Sequence, residues 1–272
     1  MSDAAPAPAA GDRKGMEAVA ARHRLILAQA RQAGRVDVED LAARLAVTPQ
    51  TIRKDLNILA RKSLLARVHG GAIVTSGVDN LAYGERRLVA AGAKAAIGRA
   101  AAALIPDGAS LFITIGTTTE AVAEALDEHR DLLVISNNLN VIDRMSGRAD
   151  RQVIAVGGRV RAADRAIIGP LAAEFLRNFK VDFAVIGASA IDAEGALLDF
   201  DTDEVQVART IIAQARQVIL VADHSKVGRP APVRIGGFEE IGHFVTDRLD
   251  DPRLAAACAA AGTRVTCCAD PT

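Results

Sequence analysis

The residues best suited to chemistry in this sequence form a Gly-Thr-Thr-Thr run at positions 116–119. An apolar segment at 110–115 predicts a strand before the run, and residues 118–127 predict a helix after it. A glycine turn between a strand and a helix leaves backbone N–H groups without acceptors, and such groups bind anions. The hydroxyls are additional donors, although ordinary helix capping also accounts for them. The expected anion ligands are Gly116, Thr117, Thr118 and Thr119.

Other polar residues follow further apolar segments in the same way. Lys226 ends an Asp-His-Ser-Lys sequence after segment 218–222, and it is either a compact charge for phosphate or an exposed loop lysine. Carboxylates at 199–204 begin a predicted helix, where they accept hydrogen bonds from ligand hydroxyls or cap the helix. Open α/β sheets bind ligands at the carboxyl ends of their strands, so we expect these groups to converge there. The remaining expected ligand-binding residues are Asn137, Asn138, Gly158, Arg159, Asp201 and Glu204.

The alternation of apolar segments with helical stretches predicts the elements that must position these residues. Strands are predicted at 110–115, 132–135, 152–156, 181–186, 218–222 and 243–246, and helices at 94–104, 118–127, 171–179 and 204–215. Strands that are apolar throughout and are separated by helices are typical of a parallel sheet covered on both faces. The expected fold class of residues 93–272 is therefore α/β.

The first quarter of the chain has a different pattern. Helices are predicted at 16–33, 38–45 and 49–62, followed by a hairpin with strands at 64–68 and 72–74. Thr48 suits an N-cap and Pro49 suits the first helical position. Ile52, Leu56 and Leu59 give the third helix one apolar face. This order is typical of a winged helix-turn-helix. The expected divisions are a disordered tail at 1–15, the winged helix at 16–75 and a linker at 76–92.

The opposite face of the third helix and the hairpin carry hydrogen-bonding residues. Arginine can bind guanine through two hydrogen bonds, and glutamine can bind adenine in the same way. A helix N-terminus with a threonine cap suits a phosphate oxygen. An ordinary solvated helix face is the alternative, but the capped turn and the basic hairpin together favour binding of double-stranded DNA. The expected DNA-binding residues are Thr48, Gln50, Thr51, Arg53, Lys54, Asn57, Arg67 and His69.

Charge is unevenly distributed in a chain whose formal net charge is zero. Residues 1–75 hold 12 Lys and Arg against 7 Asp and Glu, and the other 197 residues hold 21 against 26. A basic head on an acidic body indicates that the head is the part that meets a polyanion. Trp is absent and Tyr occurs once, which argues against base stacking on single strands.

Composition narrows the class of protein further. No apolar run approaches the roughly 20 residues of a membrane span. The first fifteen residues lack the apolar core of a signal peptide, so we expect a cytoplasmic protein. Cys258, Cys267 and Cys268 do not have C-x-x-C spacing, which disfavours a zinc site and a disulfide framework. We expect no metal and no cofactor.

Three head segments, at 34–42, 48–56 and 67–72, resemble the DeoR-type bacterial transcription regulators in order and spacing. Lys54 departs from that family, which usually has a second arginine there, so the charge is kept while a bidentate contact is lost. The resemblance implies a repressor whose operator binding is relieved when the body senses a phosphorylated sugar or polyol. We also expect a homo-oligomer, a dimer or a tetramer, because paired heads read paired half-sites.

Residues 94–247 resemble the DeoR sensor domain, which is similar in turn to ribose-5-phosphate isomerase. The competing function is therefore a phosphosugar isomerase with an accessory basic domain. Such isomerases carry acidic residues where this chain has Ala188, Ser189 and Ala190, although Glu204 matches. Aldose–ketose isomerisation needs a positioned base and a second group that moves the hydroxyl proton. The resemblance implies binding without turnover, so we do not expect an enzyme.

Body segments at 115–126, 137–141, 166–169, 197–205 and 223–229 resemble the branch of the family that controls glycerol and glycerol-phosphate metabolism. The effector that this resemblance implies is glycerol 3-phosphate. No spacing argument identifies that effector independently. A regulator of the same type that responds to another phosphosugar therefore stays open.

Overall fold

The computed structural model describes residues 19, 21–23, 25–27, 29–30, 35–61, 66–68, 71–73 and 90–268. The chain divides into two units, Met1–Asp79 and Asn80–Thr272, which we call the head and the body. The expected tail at 1–15, the hairpin turn with His69 and the linker up to residue 89 lie outside the described residues. Among the described residues, no helix has both the length and the apolar character needed to cross a bilayer.

The head contains two short helices in tandem beside a small antiparallel sheet. Its elements are β1 (Arg35–Asp37), α1 (Val38–Arg44), α2 (Pro49–Arg61), β2 (Ala66–Val68) and β3 (Gly71–Ile73), and residues 21–23, 25–27 and 29–30 are also helical. Each helix begins at a capping side chain. Asp37 Oδ1 accepts a hydrogen bond from the Glu39 amide at 2.8 Å, and Thr48 Oγ1 accepts one from the Thr51 amide at 3.1 Å.

The head has its own apolar core, because the buried faces of its helices meet each other. Ile26, Leu41, Ile52, Leu56 and Leu59 are all buried in it. The three predicted apolar positions of α2 therefore lie inside, as the helical period requires. The strand order is β1-β3-β2, so β1 adds a third strand to the predicted hairpin. A strand of three residues is too short to show an alternating pattern, which explains why the sequence did not predict it.

The body is built on a seven-stranded parallel sheet. Its strands, in spatial order, are β15 (Arg264–Cys267), β14 (His243–Thr246), β12 (Ala215–Val221), β9 (Val181–Ile186), β4 (Ser110–Ile113), β5 (Leu133–Ser136) and β6 (Gln152–Ala155). The helices are α3 (Ala91–Ala102), α4 (Thr117–Ala125), α5 (Leu139–Met145), α6 (Pro170–Leu176), α7 (Thr202–Ala213) and α8 (Pro252–Ala261). The predicted α/β class is confirmed.

Two apolar layers cover the sheet, because successive side chains of each strand point to opposite faces. On β12, Leu220 packs into the layer that contains α6, α7 and α8, whereas Ile219 packs into the layer that contains α3, α4 and α5. The neighbouring pair Phe244 and Val245 on β14 divides in the same way. Burial on both faces is the reason that the strands are apolar throughout.

The chain changes direction across the sheet between β4 and β9. From β4 it proceeds through α4 to β5 and β6 on one side, and from β9 it proceeds to β12, β14 and β15 on the other. The helices change face at the same point. In open α/β sheets a crevice forms at the carboxyl ends of strands where the order reverses, and ligands bind there.

Two small antiparallel sheets were not predicted. One is the hairpin of β7 (Arg159–Arg161) and β8 (Ala166–Ile168), and the other contains β10 (Ala190–Ile191), β11 (Ala196–Asp199) and β13 (Val233–Gly237). Their strands have two to five residues, so they resemble loops in sequence. In addition, α3 begins at Ala91, inside the segment expected as linker, because its first residues are small and carry little periodicity.

Gly98 allows α3 to lie against α4, whose first turn contains the Gly-Thr run. A methyl group at Gly98 would meet the Ala121 carbonyl oxygen at 2.5 Å. We predict that Gly98→Ala lowers the melting temperature, because overpacking costs about 1–3 kcal/mol. The better helix propensity of alanine offsets only about 1 kcal/mol of this. Gly147→Ala is the control, because nothing lies within 4 Å of its added methyl. Equal melting temperatures for the two variants would contradict the prediction.

Candidate functional site

A cleft lies at the carboxyl ends of β4, β5, β9 and β12, where the strand order reverses. Its empty volume is about 770 Å³, including the part that is open to solvent. The predicted ligand-binding residues that line it are Gly116, Thr117, Thr118, Thr119, Asn137, Glu204 and Lys226. The structure therefore brings together residues that stand more than a hundred positions apart in sequence.

The turn between β4 and α4 forms one end of this cleft. Gly116 has φ +136°, a conformation that disfavours residues with a side chain, and it is the N-cap of α4. Thr119 is fully buried, and its hydroxyl donates to the carbonyl oxygens of Thr114 and Gly116, at 2.8 Å in both cases. This hydroxyl thus holds the turn in shape. The first amides of α4 have no intrahelical acceptor, so they are available to an anion at the positive end of the helix.

Lys226 also lines the cleft, in a short 3₁₀ helix (His224–Lys226) that follows β12. Two aspartates hold this turn. Asp223 caps it by accepting a hydrogen bond from the Ser225 amide at 3.0 Å, and Asp247 Oδ1 accepts one from the His224 amide at 2.7 Å. The Asp247 carboxylate also contacts His224 Nδ1 at 2.5 Å. The backbone that carries Lys226 is therefore fixed.

Asn137 forms the floor of the cleft after β5. Its side chain is 2% exposed, and its Nδ2 donates to the Ile167 carbonyl oxygen at 3.0 Å. The Ile167 amide donates in turn to the Asn137 carbonyl oxygen at 2.7 Å, which joins the β7–β8 hairpin to this floor. Asn137 Oδ1 is buried and has no hydrogen-bond partner among the described residues. A buried acceptor of this kind suits a ligand hydroxyl.

Three carboxyl groups also line the cleft. Asp164 and Asp199 are 7% and 4% exposed, and Glu204 lies in the first turn of α7. Arg161 on β7 pairs with Asp164 at 2.7 Å and with Glu204 at 2.6 Å, and its Nη1 also reaches Asp201 at 2.8 Å. One guanidinium thus offsets the negative charge of several carboxylates, which raises the pKa of Arg161 above its ordinary value despite its burial.

Glu204 keeps a proton more readily than an ordinary glutamate. Burial and the neighbouring charges of Asp199 and Asp164 raise its pKa to about 8, although the Arg161 guanidinium opposes the shift. A carboxylic acid of this kind can donate a hydrogen bond or accept one near neutral pH. The cleft therefore contains both donors suited to an anion and groups suited to hydroxyls.

Four predicted ligand-binding residues do not line the cleft, and the structure shows other contacts for them. Asn138 caps α5 and donates to Glu120 at 3.0 Å, while Asp201 caps α7. Arg159 pairs with Asp203 at 2.5 Å in an exposed position. A methyl on Gly158 would meet Ile167 at 2.9 Å, so this glycine permits close packing. Their assignment as ligands stays a prediction.

The cleft also contains residues outside the list of expected ligands. Asp199, the last residue of β11, belongs to the carboxylate group at 199–204 that the sequence offered for ligand hydroxyls. Asp164 stands in a hairpin loop and reaches the cleft only because that hairpin folds back onto Asn137. Ser189 lies close to the end of β9, and together with Ala188 it presents a wall without acidic groups.

The head presents the predicted polar face on α2. Gln50, Arg53, Lys54 and Asn57 are exposed, and Thr51 is half-buried. Thr48 is exposed, and its hydroxyl lies 2.9 Å from that of Thr51. Arg67 lies in β2, and its side chain is outside the described part of the chain, as is the whole of His69.

A buried carboxylate anchors α2 from behind. Asp55 is 3% exposed; its two oxygens accept from Arg22 Nε at 2.6 Å and from Arg22 Nη2 at 3.3 Å, and one of them also contacts His23 Nε2 at 3.0 Å. Burial alone would raise the pKa of Asp55, but these hydrogen bonds outweigh it and hold the pKa below its ordinary value. The position of α2 therefore depends on a charge that sequence periodicity did not reveal.

Family models match both units of the chain. The DeoR-like helix-turn-helix domain matches residues 22–78, and the DeoR C terminal sensor domain matches residues 90–248. A DNA-reading head with a ligand-binding body defines a transcriptional regulator. The chain belongs to the DeoR family.

Curated relatives cover most of the chain. The glycerol-3-phosphate regulon repressor of Haemophilus influenzae is 46% identical over 225 residues, which are 83% of this chain and 88% of the relative. The repressor of the same name from Escherichia coli is 43% identical over 226 residues, 83% and 90% of the two chains. The transcriptional repressor CsqR of Escherichia coli is 40% identical over 233 residues, 86% and 89%. These homologues are transcriptional repressors and not enzymes.

Solved structures that resemble part of this chain include ribose 5-phosphate isomerase A from Neisseria gonorrhoeae. That comparison has a TM-score of 0.36 and 14% identity, and it covers 49% of this chain and 52% of the other. A likeness of this size carries no argument about activity.

We predict that Asp55→Asn destabilises the head by roughly 1–3 kcal/mol, because it leaves the Arg22 guanidinium without its charged partner. Asp40→Asn, which removes an exposed carboxylate from α1, is the control. The measurement is thermal unfolding of the full chain followed by circular dichroism. The difference between wild type and Asp55→Asn should persist above the ordinary aspartate pKa and shrink as the pH falls through the lowered pKa of Asp55. A difference that does not change with pH would contradict this assignment.

Proposed function

We propose that this chain is a cytoplasmic repressor that binds duplex operator DNA through α2 and releases it when the body binds glycerol 3-phosphate. The observation that carries the proposal is the composition of the cleft. The first turn of α4 and Lys226 line it, and so do the carboxyl groups of Asp164, Asp199 and Glu204. The relatives from Haemophilus influenzae and Escherichia coli are glycerol-3-phosphate regulon repressors, which supports the choice of glycerol 3-phosphate among molecules of this shape.

In this proposal the phosphate of the effector lies against the first turn of α4. The amides of that turn, the Thr118 hydroxyl and the Lys226 ammonium donate to its oxygens. Charge-assisted hydrogen bonds of this kind are shorter and stronger than neutral ones. The opposite end of the effector carries hydroxyls, which suit Asn137 Oδ1 and the Asp199 and Glu204 carboxyl groups.

The same cleft could recognise a longer phosphosugar through the same phosphate contacts, so this is the second candidate effector. An isomerase is not proposed, because Ala188 and Ser189 supply no carboxylate to the cleft wall and the relatives are repressors.

Release of DNA requires the effector to bind the DNA-free conformation more tightly, since equal affinity for both states would shift nothing. We propose a homo-oligomer that presents paired heads, with recognition helices about 34 Å apart on the duplex, or a multiple of that distance. The proposed divisions of the chain are the winged helix at 16–75, a linker from residue 76 that ends where α3 begins at Ala91, and the sensor that follows.

We predict that Thr118→Val and Lys226→Ala each weaken the response to glycerol 3-phosphate about tenfold or more, because each removes a hydrogen bond to the phosphate. Release of the operator is measured by fluorescence anisotropy while glycerol 3-phosphate, glycerol or fructose 6-phosphate is titrated into the complex. The response of each variant is compared with its own affinity for the operator in the absence of effector. Lys180→Ala is the control, because Lys180 precedes β9 at the amino ends of the parallel strands, whereas the cleft lies at their carboxyl ends.

Each ligand decides a different part of the proposal. Glycerol lacks the dianion and should act poorly, and equal action by glycerol would refute the phosphate site. If fructose 6-phosphate alone causes release, the choice of effector is wrong. If both variants respond like wild type, the site is misplaced.

We predict that Arg53→Ala weakens operator binding by about 1–3 kcal/mol and relaxes the preference at one base pair, because Arg53 reads a base edge. Arg44→Ala is the control, since it removes an equal exposed charge from the last turn of α1. The duplex is one selected by the wild-type protein from a randomised library. An unchanged base preference in Arg53→Ala would remove Arg53 from the reading face.

A further inference from the structure

Glu39 and Arg53 form an ion pair between the two helices of the head. Arg53 Nη2 donates to Glu39 Oε1 at 3.0 Å, and the side chains are 54% and 67% exposed respectively. We propose that Glu39 is a positioning residue that orients the Arg53 guanidinium for one base pair of the operator. The inference rests on the proposed function, in which Arg53 reads a base.

The backbone of Glu39 is well placed to act as a fixed point. Its amide donates to the Asp37 side chain at 2.8 Å, so it lies in the capped first turn of α1. Val38 and Leu41, which flank it on α1, are buried in the same core as Ile52 on α2. The distance between the two backbones is therefore set by packing, which keeps the Glu39 carboxylate within reach of the guanidinium.

The ion pair itself contributes little to stability, because exposed pairs of this kind are screened by water and salt. Its consequence is geometric. An arginine side chain has many rotamers, and ordering it at an interface costs free energy. Glu39 orders it before DNA arrives. Among the described residues, Glu39 engages the Nη2 atom of Arg53, and the fork of donors leaves further N–H groups for the O6 and N7 acceptors of a guanine.

The charge of Glu39 also disfavours contacts of Arg53 with phosphates in place of a base. If Arg53 turned away to a phosphate, the Glu39 carboxylate would face the polyanion without its partner. Such a penalty falls on non-specific complexes more than on the specific one, and this difference is how an interface gains selectivity. Glu39 is thus a specificity-determining residue that need not touch a base itself.

The experiment measures discrimination, defined as the affinity for the selected duplex divided by the affinity for the same duplex with the Arg53-dependent base pair replaced. Glu39→Gln, Arg53→Ala and the double variant are compared with wild type by fluorescence anisotropy, using the full chain. We expect Glu39→Gln to lower discrimination about fivefold, the loss that corresponds to ordering one flexible side chain at the interface. In the Arg53→Ala background, Glu39→Gln should have no effect on discrimination.

Asp40→Asn is the matched control, because Asp40 is an exposed acid in the same helical turn and its loss changes net charge equally. It should alter the affinity for both duplexes by the same factor. If Glu39→Gln behaves like Asp40→Asn, Glu39 acts through net charge alone and the inference is wrong. If Arg53→Ala leaves discrimination unchanged, Arg53 does not read a base, and the proposed function of Arg53 is wrong. If Arg53→Ala relaxes discrimination and Glu39→Gln does not, only the present inference fails.

Discussion

The reversal of strand order between β4 and β9 is the constraint on which the ligand-binding body depends. Neighbouring strands elsewhere in the sheet are covered at their carboxyl ends by the connections that leave them. At the reversal those connections leave to opposite faces, so the strand ends stay open. The turn at Gly116 closes one side of that opening, and the Thr119 hydroxyl keeps the turn in shape.

Two kinds of polar group with different electrostatic requirements line the cleft. The helix-start amides of α4 need no counter-ion, because they are neutral groups that favour negative charge. The carboxyl groups do need one, and Arg161 supplies positive charge from the β7–β8 hairpin. Burial and the charges of Asp199 and Asp164 still raise the pKa of Glu204, although Arg161 opposes the shift. A ligand with hydroxyls can therefore find both donors and acceptors among these groups.

Two acidic residues control the DNA-reading helix in different ways. Asp55 is buried behind α2 and bonds to the N-terminal helical residues Arg22 and His23, so it determines where the helix lies. Glu39 is exposed beside α2 and bonds to one side chain, so it determines where that side chain points. A buried pair resists removal because its loss leaves a charge without a partner, whereas an exposed pair costs little to break. The Asp55 ion pair thus affects the stability of the head, and the Glu39 ion pair affects the selectivity of DNA binding.

The sequence by itself determined the elements and much of the cleft. Apolar periodicity predicted β9 and β14 with their observed bounds, and the cap at Thr48 predicted the start of α2. Strand-end positions predicted the Gly116 turn and Lys226, because parallel strands bring their carboxyl ends together. Tertiary structure alone decided the partners of charged side chains. Arg161 meets Glu204 across 43 positions, and Arg22 meets Asp55 across 33, and no local pattern encodes such pairs. Local spacing describes what lies along one element, whereas these contacts depend on how separate elements pack.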